Sequence, residues 1–250
     1  MPNRNIVFNS QEIVEFYSRH RQEWEEFYPS EKWVFRKIAG KSGRLGDVLD
    51  AGCACGGLGF ALSRQFKLNS YAGIDIHPGA IAWAIKHRKL AIPSSFICAD
   101  ILGLKGRKSY DLVVSLSCAD WNIEVTKIMN ACWERVRPGG YLVISLRITP
   151  GEGIDDIKRS FQYVNFSKRE RSPEVANYVV FNFKDILKQI KKLSPSAQEI
   201  GAYGHWGIPS STAVTPYKKL IFTVFYLKKG KRNKFQGINT EFNLPLEAFL

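Results

Sequence analysis

Apolar positions near the N-terminus recur at close to the helical period: Ile13, Val14, Phe16 and Tyr17, then Trp24, Phe27 and Tyr28, then Trp33, Val34 and Ile38. Pro29-Ser30-Glu31 interrupts the run, and Ser30 is placed to N-cap a helix reaching Ala39, with Gly40 past its end. The pattern predicts a helical cap over residues 1–43. From Asp47 it changes to short β-branched and aliphatic runs at 48–49, 71–74, 95–99, 112–116 and 141–146. Helix-length segments at 58–66, 79–89 and 125–137 separate them, long enough for the right-handed crossovers that parallel strands require. A doubly wound α/β sheet follows.

Beyond Pro150 the alternation breaks down. Residues 151–173 mix charge and aromatics, then a strand candidate at 178–183 runs into a helix at 183–192, so an insertion is placed at about 151–180. Two long apolar strands, 197–203 and 220–228, are joined by a Gly-, Pro- and Ser-rich loop without a helix, which suits antiparallel pairing. The expected architecture is a Rossmann-like sheet of seven strands with a reversed final strand, in one domain over 44–228. The run Lys228, Lys229, Lys231, Arg232 and Lys234 precedes a stretch without periodicity. Residues 229–250 therefore read as a basic tail, either solvated or in contact with an anion.

Hydrophobic residues are 45% and charged residues 24% of the 250-residue chain, a balance that supports a buried core and excludes disorder throughout. No apolar run approaches the ~20 residues that cross a bilayer, and Met1-Pro2-Asn3-Arg4 opens no secretory signal, so a cytoplasmic protein without a membrane partner is expected. The five cysteines include no Cys-x-x-Cys. Cys53 and Cys55 lie in a glycine turn where small side chains are useful, so neither a disulfide framework nor a metal site is expected. The net charge of +13 points to nucleic acid, an anionic membrane surface or an anionic substrate.

The strongest chemical signal is Val48-Leu49-Asp50-Ala51-Gly52-Cys53-Ala54-Cys55-Gly56-Gly57-Leu58-Gly59, a strand entering a glycine turn and then a helix. Glycines let a ligand approach the main chain, and the helix start offers free N–H groups. Gly52, Ala54 and Gly57 also match a dinucleotide fingerprint, with Asp75 at the end of the second strand. Asp50 separates the two readings, because a carboxylate there repels a pyrophosphate and attracts an ammonium group.

Asp50-Ala-Gly52-Cys-Ala54-Cys-Gly56 resembles the D-x-G-x-G-x-G signature of class I S-adenosylmethionine-dependent methyltransferases, with Ala54 in place of the middle glycine. The resemblance runs from about Asp47 to Leu146 and, more loosely, to the strand at 220–227. It implies S-adenosylmethionine as cofactor, without metal, and a methyl-transfer activity. It further implies that Asp50, Gly52, Cys53, Ala54 and Gly56 cradle the cofactor, that Asp75 accepts from the ribose hydroxyls and that Asp100 faces the adenine amino group. Ile76 and Ile101 would sandwich the adenine, and the segment from Ser115 onward would face the methyl group. The turn Arg137-Pro138-Gly139-Gly140 resembles the one before the family's fifth strand. After strand four, Ser117-Cys118-Ala119-Asp120-Trp121-Asn122 lacks the Asn/Asp-Pro-Pro-aromatic tetrad of the members that methylate exocyclic amines of bases.

For the acceptor side, Asp120 is the first candidate base and His205 the second, with His20 behind them; a capping Asp or a surface His is the alternative for each. The segment 201–217 reads as a substrate loop or a hairpin tip. Tyr17 and Trp33 of the cap, with Trp121, Trp206 and Tyr217, are the candidate acceptor walls. The expected function is methylation of a small, hydroxyl-bearing molecule such as a sugar, a surface-polysaccharide precursor or a secondary metabolite, with anionic character. An RNA methyltransferase is the alternative, since the charge and the aromatics suit a polyanion with stackable bases. Binding of the cofactor without catalysis is a third.

Overall fold

A computed structural model describes residues 8, 10–106, 108–122, 124–164, 174–193, 196–231 and 237–249. Arg232 and Lys234 of the basic run, and 165–173 of the insertion, lie outside the described residues. The cap comprises α1 (Gln11–Arg19), a 3-10 turn at Trp24–Glu26, and α2 (Pro29–Ala39). Pro29 takes the first helical position, and Glu31 Oε2 accepts from the Tyr28 N–H at 2.8 Å. The N-cap position therefore falls on Tyr28, and Ser30 is buried within the first turn. Gly40 ends the helix as expected, at φ +54°.

The alternating part follows as β1 (Arg44–Ala51), α3 (Gly57–Gln65), β2 (Lys67–Asp75), α4 (Pro78–His87), β3 (Ser94–Cys98), β4 (Tyr110–Ser115), α5 (Val125–Glu134) and β5 (Val136–Thr149). Then come β6 (Phe161–Tyr163), β7 (Val175–Asn177), β8 (Phe181–Asn182), α6 (Phe183–Leu193), β9 (Ala197–Gly207), β10 (Ala213–Val214), β11 (Leu220–Lys229) and β12 (Asn239–Asn243). The main sheet runs β12-β9-β11-β5-β4-β1-β2-β3, with β8 added beside the end of β5. β11 is the reversed strand, antiparallel to both β5 and β9. The seven expected strands thus form the doubly wound core, and two further strands extend it.

Side chains of β11 alternate between two cores, as a strand buried on both faces must. Val224 and Tyr226 meet α2 and α3 residues such as Val34 and Leu62, whereas Ile221, Phe225 and Leu227 share a cluster with Ile128 of α5 and Ile186 of α6. Among the described residues no helix is long and apolar enough to cross a membrane.

Four local expectations are corrected. The helix expected to reach residue 137 ends at Glu134, and Arg137-Pro138-Gly139-Gly140 lies within β5, where the pairing with β4 shifts register and Gly139 takes φ +84°. The strand candidate at 178–183 is reduced to a bridge from Val180 to Ile154 and the two-residue β8, with Phe183 already in α6. Half of the expected substrate loop is sheet: β9 continues to Gly207, and β10 ties the remaining loop to β6. The tail reading fails for its distal half. β12 pairs in parallel with β9, and Phe242 and Phe249 stand edge-on to the buried ring of Phe183 at 5.8 and 5.3 Å. Truncation after Lys229 is therefore expected to cost about 2–5 kcal/mol, the range for losing large apolar contacts. An unchanged urea midpoint would contradict this.

Candidate active site

The carboxyl ends of β1, β2 and β4 open onto a cleft, where ligands of open α/β sheets sit. The turn after β1 is fastened to β2 by the N–H groups of Gly52 and Cys53, both donating to the Ile74 carbonyl at 2.8 and 3.0 Å. Gly52 has φ +86°, and a Cβ there would lie 2.3 Å from Cys118 Sγ. Ala54 stands where the signature has glycine, yet keeps the left-handed backbone at φ +45° and donates its N–H to Asp75 Oδ2 at 2.8 Å. Among the described residues the other non-glycine positions of this kind are Arg21 at +57° and Ser117 at +49°. All three border the cleft. Such strain persists only where surrounding packing enforces it, and it concentrates at ligand sites.

Asp50, at the end of β1, is buried and accepts from the Tyr71 hydroxyl at 2.6 Å. Burial pushes its carboxyl up to about 7, against the pull of that hydrogen bond. Asp75 accepts from the N–H groups of His77 and Ala54, each at 2.8 Å; burial raises it too, and these donors oppose the rise. Asp100 caps the turn Ile101–Gly103 by accepting from the Leu102 N–H at 2.9 Å. Asp50, Gly52, Cys53, Ala54, Asp75, Ile76, Asp100 and Ile101 all border the cleft, as does His20 at its outer end. Gly56 and Ser115 do not. Gly56 (φ +72°) backs onto Phe96, and Ser115 is fully buried.

The cap supplies a wall that the motif did not announce. Tyr17 and Arg21 border the cleft, and burial pushes the Tyr17 hydroxyl up to about 12, so it stays protonated. A Cβ on Gly57 would lie 2.1 Å from the Arg21 carbonyl oxygen, so this glycine lets the cap seat on the start of α3. Arg21 falls in the break between two amphipathic runs, a position without sequence signal.

A second cavity adjoins the first and shares Ile13, Tyr17, Arg21, Ser117 and Trp121 with it. Asp120 borders it, buried on the turn Ala119–Trp121. Its Oδ2 accepts from Arg147 Nε at 2.7 Å, and its carbonyl accepts from Arg147 Nη2 at 2.7 Å. The guanidinium lies 3.6 Å from the ring centroid of Tyr178. Opposite in the cap, Glu31 accepts from Arg21 Nη2 at 2.8 Å.

Of the other acceptor-side candidates, Tyr17 and Trp121 border the second cavity, but Trp33, His205, Trp206 and Tyr217 do not. Trp33 packs against Tyr203 and Tyr226. His205 and Trp206 are consecutive in β9, so they point to opposite faces. His205 lies near Tyr28 and Phe222, and Trp206 packs on the α5 and α6 core with Lys219 over its ring. Tyr217 donates to the Glu152 carbonyl at 2.5 Å.

A doubly wound sheet with a glycine turn, acidic residues at successive strand ends and an adjoining cavity is an arrangement suited to a nucleoside-bearing cofactor beside a second ligand. Comparison narrows this. Residues 48–140 match a family profile described as a methyltransferase domain. A malonyl-[acyl-carrier protein] O-methyltransferase of Priestia megaterium is 28% identical over 98 residues, 39% of this chain and 35% of the relative. The chain thus matches about a third of that relative's length. An S-adenosylmethionine-dependent methyltransferase of Methanosarcina mazei superposes with a TM-score of 0.57 at 17% identity, covering 82% of this chain and 99% of that one. A 1,6-didemethyltoxoflavin-N1-methyltransferase of Burkholderia thailandensis, with S-adenosylhomocysteine bound, gives 0.52 at 17% identity and 87% coverage of each chain. The chain thus matches a methyltransferase-domain profile over residues 48–140 and has the fold of proteins that use S-adenosylmethionine as cofactor.

The residues present suit that cofactor. The turn at Gly52 has no room for a Cβ, and the buried carboxylate of Asp50 and the half-buried one of Asp75 offer acceptors for an ammonium and for hydroxyls. Gly57→Ala is expected to lower affinity for S-adenosylhomocysteine roughly tenfold or more, because a backbone contact inside a packed wall has little freedom to yield. Calorimetry giving wild-type affinity would contradict this.

Proposed function

We propose that the protein transfers the methyl group of S-adenosylmethionine to a small-molecule acceptor held in the second cavity. The observation carrying this reading is the shared wall: Tyr17, Arg21, Ser117 and Trp121 border both spaces, so ligands in the two would meet there. When bound, the cofactor supplies an electrophilic methyl on a sulfonium. Asp50 pairs with the cofactor's ammonium, Asp75 accepts from the ribose hydroxyls and Asp100 faces the adenine between Ile76 and Ile101. Tyr17 and Trp121 exclude water and turn aromatic surface toward the cation. Orientation of the acceptor then supplies much of the catalysis. A hydroxyl acceptor, of the sugar or secondary-metabolite kind, remains part of the proposal. Asp120 acts on the acceptor side as a held hydrogen-bond acceptor, since Arg147 already occupies one of its oxygens.

Calorimetry with S-adenosylmethionine and S-adenosylhomocysteine, with labelled methyl incorporation into the small-molecule and RNA fractions of a cell extract, tests this reading. Label confined to RNA, or binding of NAD with no response to either sulfur compound, would overturn it. Asp75→Ala is expected to weaken cofactor binding by about 1–3 kcal/mol, the usual loss for hydrogen bonds to a charged group. An unchanged dissociation constant would remove Asp75 from the ribose.

A further inference from the structure

The second cavity carries information about its occupant, and this step rests on the methyl-transfer reading above. Among the described residues its charged side chains are Glu12, Glu31 and Asp120 against Arg21 and Arg147. Both guanidinium groups are already matched, Arg21 by Glu31 and Arg147 by Asp120, and these are the most buried ion pairs described. Among the described residues of the cavity wall no positive charge is left over for an anion.

Two features say what does fit. The walls are rich in rings, with Phe16, Tyr17, Trp121, Tyr163, Tyr178 and Phe222 among them, and flat aromatic surface favours a flat or ring-bearing ligand. The second feature is a missing bond. Asp120 is 4% exposed, and while Oδ2 takes the Arg147 Nε, its Oδ1 is buried with no hydrogen-bond partner among the described residues. A buried carboxylate oxygen without a donor is costly, and native structures rarely leave one unless a ligand or an ordered water supplies the donor.

We propose that Asp120, held in place by Arg147, selects a neutral, ring-bearing acceptor that donates an O–H or N–H hydrogen bond to its Oδ1. An acceptor so held is anchored through a donor beside the Asp120–Arg147 pair, with its ring between the aromatic walls. A carboxylate or phosphate in the same place would face Asp120 and Glu31, with no free cation among the described residues of the wall to balance it.

The test uses full-length protein saturated with S-adenosylhomocysteine and three probes of matched size: 4-methylphenol, 4-methylanisole and 4-methylbenzoate. Binding is followed by ligand-observed NMR. The expected result is that the phenol binds roughly tenfold or more tightly than either the anisole, which lacks the donor, or the benzoate, which carries the charge. In the double variant Asp120→Leu with Arg147→Met, which replaces both partners at once, the preference for the phenol over the anisole should vanish. Benzoate binding as well as the phenol, equal binding of phenol and anisole, or no binding by any probe to the loaded protein would each overturn the proposal. Those outcomes would leave cofactor binding, and the reading beneath, in place. Failure of S-adenosylhomocysteine itself to bind would remove that reading and the proposal with it. Should the double variant not fold, the order of the three probes on the wild type decides.

Discussion

Asp120→Ala is expected to destabilise the protein by about 3–5 kcal/mol, the usual consequence of stripping one partner from a buried ion pair. The side chains of Asp120 and Arg147 are each only 5% exposed. Removing the carboxylate leaves a guanidinium in the interior with Tyr178 beneath it and no counter-charge. Asp120→Leu combined with Arg147→Met should recover most of the loss, because two apolar groups of similar volume restore packing without a charge to desolvate. Urea unfolding of the single and double variants checks this; equal losses in both would show that the pair is not the source. Any fall in turnover measured on Asp120 variants has to be separated from this loss of folded protein.

The affinity for S-adenosylhomocysteine is expected to fall about tenfold for each pH unit below 7, reaching roughly 100-fold at pH 5. Only the ionised Asp50 carboxylate pairs with an ammonium group, and burial holds that carboxyl at about 7. The sign for the protein without cofactor is the reverse. An ordinary aspartate in the unfolded chain releases its proton near 4. Between that value and 7 the folded state holds the extra proton, so stability declines as pH rises through this window and levels off above it. Asp75, also raised by burial, acts in the same direction. Calorimetry from pH 5 to 8 and thermal shifts with and without ligand test both halves. A flat affinity profile, or one that survives Asp50→Asn, would show that Asp50 does not meet the ammonium.

How much of this was written in the sequence depends on whether the signal was local. The strand-turn-helix from Val48 to Gly59 announced itself because a tight turn needs particular residues at particular places, and the strand ends carrying Asp50, Asp75 and Asp100 followed from periodicity. The reversed strand was legible because the Gly-, Pro- and Ser-rich connection before it carries no helix. Arg147 was invisible, since its partner Asp120 is 27 positions away and only the pairing of β4 with β5 brings them together. His205 and Trp206 were grouped because they are neighbours in sequence, although strand geometry sends them to opposite faces. β12 went unread because its pattern is mostly exposed, and an edge strand of that kind has little apolar alternation to show.

Helix α1 is a wall of both cavities, through Ile13 and Tyr17, and its N-cap Ser10 is tied down on either side. The Ser10 carbonyl sits 3.1 Å from His77 Nε2, and the Ser10 N–H donates to Glu174 at 2.9 Å. On the methyl-transfer reading, one structural piece would serve two exchanges, because spent cofactor and fresh acceptor would both lie against this same helix.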